Sequence, residues 1–502
     1  MNSLEQDALD VLSLIRSVKN SFAPINRIPP EVLLLIPDYY DDDTDQGLIV
    51  LTHVCRGWRD VFISRSSLWT QLDCVDFDKT RTYIQRSKSS PLEIFLKMYG
   101  DDDTHIDDAF LLVTPHIHRI KSLTIHADAM PDAIRHLCCH TPLLEELDID
   151  LICGSYPPVL DSALFEGDLS SLRELSLGGV ITCLPWNNLA NLTNFNLNSC
   201  HPGHDFINLL LDFLKNAPLL RTIMLEDSIP ESSNAPPGRM VSLPHLRMLA
   251  ITAEPAHSIL LNHLCIPIGA SLILESSFNG GESPLRKCLP ETTANLGNLA
   301  HITAINLRLG PVQKFVRMNG PSGKLRVHAR WGGETVAPCA VDRRILRSLD
   351  PSALLSTSRL AVTKYNHPRP TEVEKCPVFG TLSSMNNLRT LVLTKCNNLP
   401  FILALNPKEA PSNVLLCPNL EGLVLYIKSQ DQFHIKQLIS MAKGRVSRDA
   451  KLSSITIVGV GELAPGKEVF KLREHIKRVD YWVDDEPPDW DDLPGESSDE
   501  SV

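Results

Sequence analysis

Leu4, Ala8, Val11, Leu12, Ile15 and Val18 recur at three- and four-residue spacing, so residues 4–18 predict an amphipathic helix packed on the next segment or on a partner. Ala23 and Pro24 end it. Ile28, Pro29, Pro30 and Glu31 predict a second helix start, because Pro tolerates the first turn and an acid there suits the helix dipole. Val32 to Ile36 supplies its apolar face and Pro37 its stop. After an acidic loop, Asp38 to Gln46, the residues Leu48, Leu51, Val54, Cys55 and Trp58 predict one apolar helical stripe, with Arg56 and Arg59 off it. Ser67, Leu68 and Trp69 begin another short turn, and Leu72 starts a strand-like run. Short helices in so small a segment bury little, so the segment needs a partner or a neighbouring domain to cover its apolar surface.

From about residue 76 a different phrase takes over. Pro142-Leu-Leu-Glu-Glu-Leu-Asp-Ile149 is followed by Pro218-Leu-Leu-Arg-Thr-Ile-Met-Leu225, Pro244-His-Leu-Arg-Met-Leu-Ala-Ile251 and Pro418-Asn-Leu-Glu-Gly-Leu-Val-Leu425. Copies without the Pro end at Leu177, Leu197, Leu307, Leu393 and Ile457, and weaker strands end at Leu274, Val327 and Val362. Each copy reads as a period-2 strand, then a turn, then a helical stretch such as Phe206 to Leu214 or Phe433 to Ala442. One such unit cannot bury both its apolar faces, but a stack of them can, which is the physics of a leucine-rich solenoid. Cys200 and Cys396 stand where such a repeat closes its turn. The predicted fold class is therefore α/β: a short all-α unit of three helices, then an irregular solenoid with a parallel sheet on its concave face. The expected domains are residues 1–24 (helix), 25–75 (helical unit), 76–480 (solenoid) and 481–502 (tail).

Charge changes this picture at the C-terminus. The 502-residue chain carries 60 Asp+Glu against 48 Lys+Arg, a formal net charge of −12, which argues against a general nucleic-acid or anionic-membrane binder. Residues 484–502 hold Asp484, Asp485, Glu486, Asp489, Asp491, Asp492, Glu496, Asp499 and Glu500 with no Lys or Arg, and predict a solvated, disordered end. The 13 cysteines include no Cys-x-x-Cys pair, the start lacks a signal-peptide pattern, and no apolar run is long enough to span a bilayer. The cysteines are expected to be small buried hydrophobes in a reducing cytoplasm or nucleus.

Ile28 to Ile36, then Leu51-Thr-His-Val-Cys-Arg-Gly-Trp-Arg59, then Ser67-Leu-Trp-Thr-Gln-Leu72 resemble an F-box. Followed by leucine-rich repeats, this resembles the substrate receptors of SCF-type ubiquitin ligases, and most closely the F-box proteins of mushroom-forming fungi. Pro37, where the family usually has Phe, and the long acidic loop depart from its pattern. The resemblance implies binding rather than chemistry: the F-box docks on a Skp-family adaptor and through it a cullin, while the solenoid holds a protein substrate. By this resemblance Ile28, Pro29, Pro30, Val32, Leu33, Ile36, Leu51, Val54, Cys55 and Trp58 are the adaptor-binding candidates. A leucine-rich scaffold without a ubiquitin role is the alternative.

The residues themselves give a candidate substrate face. Period 2 sends the neighbours of the inward aliphatics to the open side of each strand. That places Glu146, Asp148, Asp150, Glu174, Ser176, Asn194, Asn196, Asn198, Met224 and Glu226 together, an acidic and amide-rich surface suited to a basic segment. No catalytic constellation stands out, and neither a cofactor nor a metal is expected. Gly461 to Lys467 has phosphate-loop spacing, but Glu468 replaces the Ser or Thr that holds magnesium and Pro465 removes a backbone donor. His116 and His118, His136 and His140, and His201 and His204 have no second ligand pair at zinc-finger distance.

Overall fold

The computed structural model describes residues 3–39, 46–98, 106–128, 139–152, 158–160, 165, 169–182, 188–200, 206–229, 238–252, 257–279, 288–290, 294–299, 302–309, 313–320, 324–332, 355–363, 381–409, 414–427, 434–460 and 467–484. His136, His201, His204, the loop Gly461 to Gly466, most of the acidic loop after Asp38 and the tail beyond Asp484 lie outside the described residues. Two compact units result, Met1–Leu189 and Ala190–Val502, so the division falls inside the stretch that the sequence reads as one solenoid.

The recurring phrase has a backbone explanation. Pro142, Pro218, Pro244 and Pro418 each stand second in a four-residue turn, where their fixed φ is already correct. The turns close through the N–H groups of Leu144, Leu220, Leu246 and Leu420, which donate to the carbonyls of Thr141 (3.2 Å), Ala217 (3.3 Å), Leu243 (3.2 Å) and Cys417 (3.0 Å). All four leucines are buried. The next residue starts the strand ladder: the N–H of Glu145 donates to Lys121, Arg221 to Thr193, Arg247 to Arg221 and Glu421 to Arg389, at 2.7–2.8 Å. A second recurrent feature ends the strands. Gly179, Ser199, Asp227 and Lys395 each follow a strand directly and hold φ of +62°, +49°, +45° and +54°. At Gly179 a Cβ would lie 1.8 Å from the Leu151 carbonyl oxygen, so only Gly fits.

The first unit opens with helix α1 (Ser3–Ser21), α2 (Pro30–Leu33), α3 (Gln46–His53) and α4 (Arg56–Ser64). Strand β1 (Gln71–Leu72), helix α5 (Phe77–Ser87), β2 (Leu92–Met98), α6 (Ile106–Val113), β3 (Ile120–Ala127), β4 (Glu146–Leu151), β5 (Val159–Leu160), β6 (Glu174–Gly178) and β7 (Ile181–Thr182) come next. β1, β2, β3, β4 and β6 pair in that order, all parallel, and β5 pairs with β7 in a separate two-stranded sheet. β2, from Pro91 onward, is a strand that the repeat phrase did not reveal. Because β1 pairs directly with β2, the helical segment runs into the sheet without a linker. Arg119, buried in front of β3, ties α5 down by donating to Ser87 Oγ (3.0 Å) and the carbonyls of Ser90 (2.9 Å) and Ile84 (3.3 Å).

The second unit contains β8 (Asn194–Asn198), α7 (Phe206–Asn216), β9 (Thr222–Glu226), β10 (Val241–Ser242), β11 (Met248–Thr252), α8 (His257–Leu261), β12 (Leu264–Cys265) and β13 (Ser271–Asn279). Then come β14 (Ala304–Leu309), β15 (Gln313–Asn319), β16 (Lys324–Gly332), β17 (Arg359–Thr363), β18 (Thr390–Thr394), α9 (Leu399–Leu405), β19 (Gly422–Ile427), α10 (Ile435–Val446), β20 (Ser454–Val460) and β21 (Arg478–Asp484). β8, β9, β11 and β13 pair in parallel, as do β14, β17, β18, β19, β20 and β21. Between the two runs the chain departs from a simple parallel array. β15 is antiparallel to both β14 and β16, and it is β16 that lies beside β13. Residues 481–484, expected within the tail, are the last four of β21.

Burial follows the predicted alternation in β3, β4, β6, β8 and β11. It fails in β17 and β18, where every residue after the first is buried, so both faces are covered there. Ala361 and Val392, on the face that alternation would expose, form a small apolar cluster with Val424 and Tyr426. Cys74, Cys200, Cys288, Cys396 and Cys417 are buried as expected, whereas Cys139 is exposed. Cys396 closes its turn with Sγ 3.1 Å from the carbonyls of Val362 and Thr394. No described helix is long and apolar enough to cross a membrane.

Candidate partner-binding sites

Pro37 shapes the first helix differently from the expectation. It lacks the N–H that would bond the Leu33 carbonyl, so α2 ends at Leu33 and the chain continues into a 3-10 helix, Ile36–Tyr39, with Pro37 inside it. The expected single stripe is also two helices. Cys55 is extended (φ −158°, ψ 172°) and caps α4, so α3 and α4 meet at a corner. The corner is held by Arg59, whose Nε donates to the Thr52 carbonyl at 3.0 Å and satisfies an end of α3.

Within this corner Leu33, Leu51, Trp58 and Phe62 form the core, with Ile28, Leu34, Ile36, Leu48, Cys55 and Leu68 packed around it. Trp58 meets Phe62 with ring centroids 5.9 Å apart. Phe62, fully buried, is a core residue that the apolar pattern of the chain did not single out. Trp69 is fully buried too, donating from Nε1 to the Phe62 carbonyl (2.9 Å), edge-on to Tyr83 and under the Arg86 guanidinium. Burial pushes the Cys74 thiol up to about 12, with the Asp73 carboxylate adding to the effect.

The ten candidate adaptor residues therefore separate. Leu33, Leu51 and Trp58 are buried in the core, and Ile28, Ile36 and Cys55 are half-buried. Pro29, Pro30, Val32 and Val54 are exposed, both valines at 49%. Leu35 and Val50 are exposed aliphatics of the same segment, with no signal in the sequence beyond being off the inward spacing. Helix α1 packs lightly, through Arg56 Nη2 on Ser13 Oγ, and leaves Val11, Leu12, Leu14, Ile15 and Val18 exposed. Between α1 and the corner runs a groove of about 640 Å³, lined by Leu9, Leu12, Ile28, Leu33, Trp58 and Val61.

Residues 25–75 match the F-box-like family. Comparison with curated proteins gives no match. The F-box-like region thus takes in α2, the 3-10 helix Ile36–Tyr39, α3, α4, the 3-10 turn Ser66–Trp69 and β1.

Outside the F-box-like region, the candidate substrate face is laid out by strand register. In the first unit Glu146 stands opposite Ser122 and Glu174, Asp148 opposite Thr124 and Ser176, and Asp150 opposite His126 and Gly178. His126 Nε2 lies 2.9 Å from Asp148 Oδ2, so one of the acids is already engaged within the face. In the second unit Asn194 faces Thr222, Asn196 faces Met224 and Asn198 faces Glu226. Glu146, Glu174, Met224 and Glu226 are exposed, and Asp148, Asp150, Ser176, Asn194, Asn196 and Asn198 are half-buried. Of the candidate metal ligands, His116 is half-buried, its pKa lowered by burial and by Arg119, and His118 and His140 are exposed. Among the described residues, no group of three or more His, Cys, Asp or Glu is placed to hold a metal ion.

Proposed function

We propose that this protein is a non-catalytic substrate receptor of an SCF-type cullin-RING ubiquitin ligase. Its F-box-like region binds a Skp-family adaptor, which links it to the cullin, and its strand-rich body is a degenerate leucine-rich solenoid that holds the target protein. It works in the cytoplasm or nucleus. The observation that carries this reading is the F-box-like match over residues 25–75, a family whose domains generally bind Skp-family adaptors. Physical support comes from the division of that region into a Leu33–Leu51–Trp58–Phe62 core and exposed aliphatics, Val32, Leu35, Val50 and Val54, which water covers poorly and a partner covers well. The Pro-x-Leu turns, each seating a buried leucine before a strand, support the solenoid. The acidic rows Glu146–Glu174 and Asp148–Ser176 favour a basic segment of target. The test is co-purification of the tagged full chain with adaptor and cullin, followed by ubiquitin transfer to a captured partner. A folded protein that captures no adaptor sinks the receptor reading and leaves the scaffold alternative.

A further inference from the structure

Helix α1 turns a mostly polar side towards the rest of its unit. Ser13, Arg16, Ser17 and Asn20 line the groove beside the corner together with Leu9 and Leu12, and Arg56 bonds Ser13. The remaining apolar positions form a regular series. Leu4, Ala8, Val11, Ile15, Val18 and Phe22 follow one another at alternating steps of four and three residues. That is the 3.5-residue repeat of a coiled-coil seam, with Ala8, Ile15 and Phe22 at its a positions and Leu4, Val11 and Val18 at its d positions. None of Val11, Ile15 and Val18 lines the groove. They are 56%, 58% and 52% exposed, and Phe22, just past the helix end, is 69% exposed. A seam of this kind calls for a second helix with the same repeat.

We propose that the occupant is a second copy of this chain, its α1 lying antiparallel to the first. In the register that sets Val11 against Ile15 of the second copy, every a position meets a d position, and Ala8 meets Val18. The positions flanking the seam decide the direction. Glu5, Leu12 and Lys19 stand at e, and Asp7, Leu14 and Ser21 at g. Antiparallel pairing sets e against e and g against g. Glu5 then meets Lys19 of the second copy, twice over by symmetry, and all of these charged side chains are exposed. Leu12 meets Leu12, and Leu14, 63% exposed, meets Leu14, which widens the apolar contact. A parallel pair sets g against e instead, so Asp7 would meet Leu12 and Leu14 would meet Lys19, with no opposite charges matched and the acids Glu5, Asp7 and Asp10 of both copies at one end. The antiparallel pair has its two-fold axis at the level of Ser13, so it closes at two copies. The 19 residues of α1 give a seam of about 28 Å, which places the contact among small, concentration-dependent interfaces of below about 1,200 Å². This inference does not rest on the receptor reading, since the dimer forms without an adaptor.

The test is sedimentation equilibrium of the purified full chain alone, from about 1 µM to about 300 µM, over which the mass rises from one chain towards two. Val11→Asp with Ile15→Asp keeps the chain monomeric throughout and leaves its thermal melt unchanged, because both side chains are exposed in the single copy. Glu5→Lys or Lys19→Glu alone weakens association about tenfold, by setting like charges opposite each other twice per dimer, and the double exchange restores it. A wild-type chain that stays monomeric at the highest concentration overturns the proposal, and so does a folded Val11→Asp/Ile15→Asp chain that still associates. Should that variant misfold, the charge exchange decides by itself: single exchanges without effect, or a double exchange that fails to regain the wild-type affinity, overturn the antiparallel pair. A monomeric chain whose Val11→Asp/Ile15→Asp variant loses affinity for a Skp-family adaptor, or for phosphatidylcholine vesicles, would assign the seam to that occupant instead.

Discussion

Replacing Val32 and Val54 together with Asp separates the docking surface of the F-box-like region from its core. Each valine is 49% exposed, so about half of its side chain is still available to a partner. Full burial of a valine is worth about 1.5–3 kcal/mol, so docking gains about 1 kcal/mol at each site. Losing both costs about 2 kcal/mol, or about 30-fold in affinity, and desolvating two carboxylates adds to that. Stability changes by about 1 kcal/mol or less, because neither side chain fills the core. Trp58→Ala is the contrasting variant. It empties a site that is 7% exposed and packed on Phe62, and costs about 3–5 kcal/mol of folding stability. The assay is calorimetric titration with a purified Skp-family adaptor, beside thermal unfolding followed by circular dichroism. A folded Val32→Asp/Val54→Asp protein with wild-type affinity would refute the assignment of that surface.

The packing sets three further outcomes. Arg445, fully buried, donates to the carbonyls of Ala450 (3.1 Å), Leu416 (2.9 Å) and Cys417 (2.7 Å), so Arg445→Met strands three acceptors and costs about 3 kcal/mol or more in denaturant melts. Gly179→Ala forces a Cβ into the Leu151 carbonyl at a φ of +62° and costs more than about 1 kcal/mol, whereas Gly238→Ala, with nothing within 4 Å, costs less despite its φ of +84°. In thiol labelling of the native chain Cys139 reacts ahead of Cys288 and Cys417, whose thiols burial pushes up to about 12. Those two contribute full stability below their unfolded value of 9.0 and lose it as pH rises from there towards 12, since only the unfolded chain ionises in that window; a melt that stays flat between pH 9 and 11 would contradict this.

Local chemistry determined a good deal of this protein on its own. Proline at the second position of a turn, a leucine two residues on and alternating aliphatics after it are short-range rules, so Pro142, Pro218, Pro244 and Pro418 mark their strands in the sequence itself. The Ile28-to-Trp69 spacing likewise marks the F-box-like segment. Periodicity could not show that Cys55 breaks the stripe into α3 and α4, because the apolar spacing continues across the corner. Nor could it tell core Leu33 from exposed Val32, since both belong to one aliphatic run and only the packing of α4 decides which side is inward. Which strands become neighbours is a long-range choice. The pairing of β15 with β14 and β16, and of β14 with β17, brings Arg308, Arg317, Arg326 and Arg359, spread over more than fifty residues, onto one face. Such a cluster exists only after the sheet has formed, because electrostatic interaction depends on distance in space and not on separation along the chain.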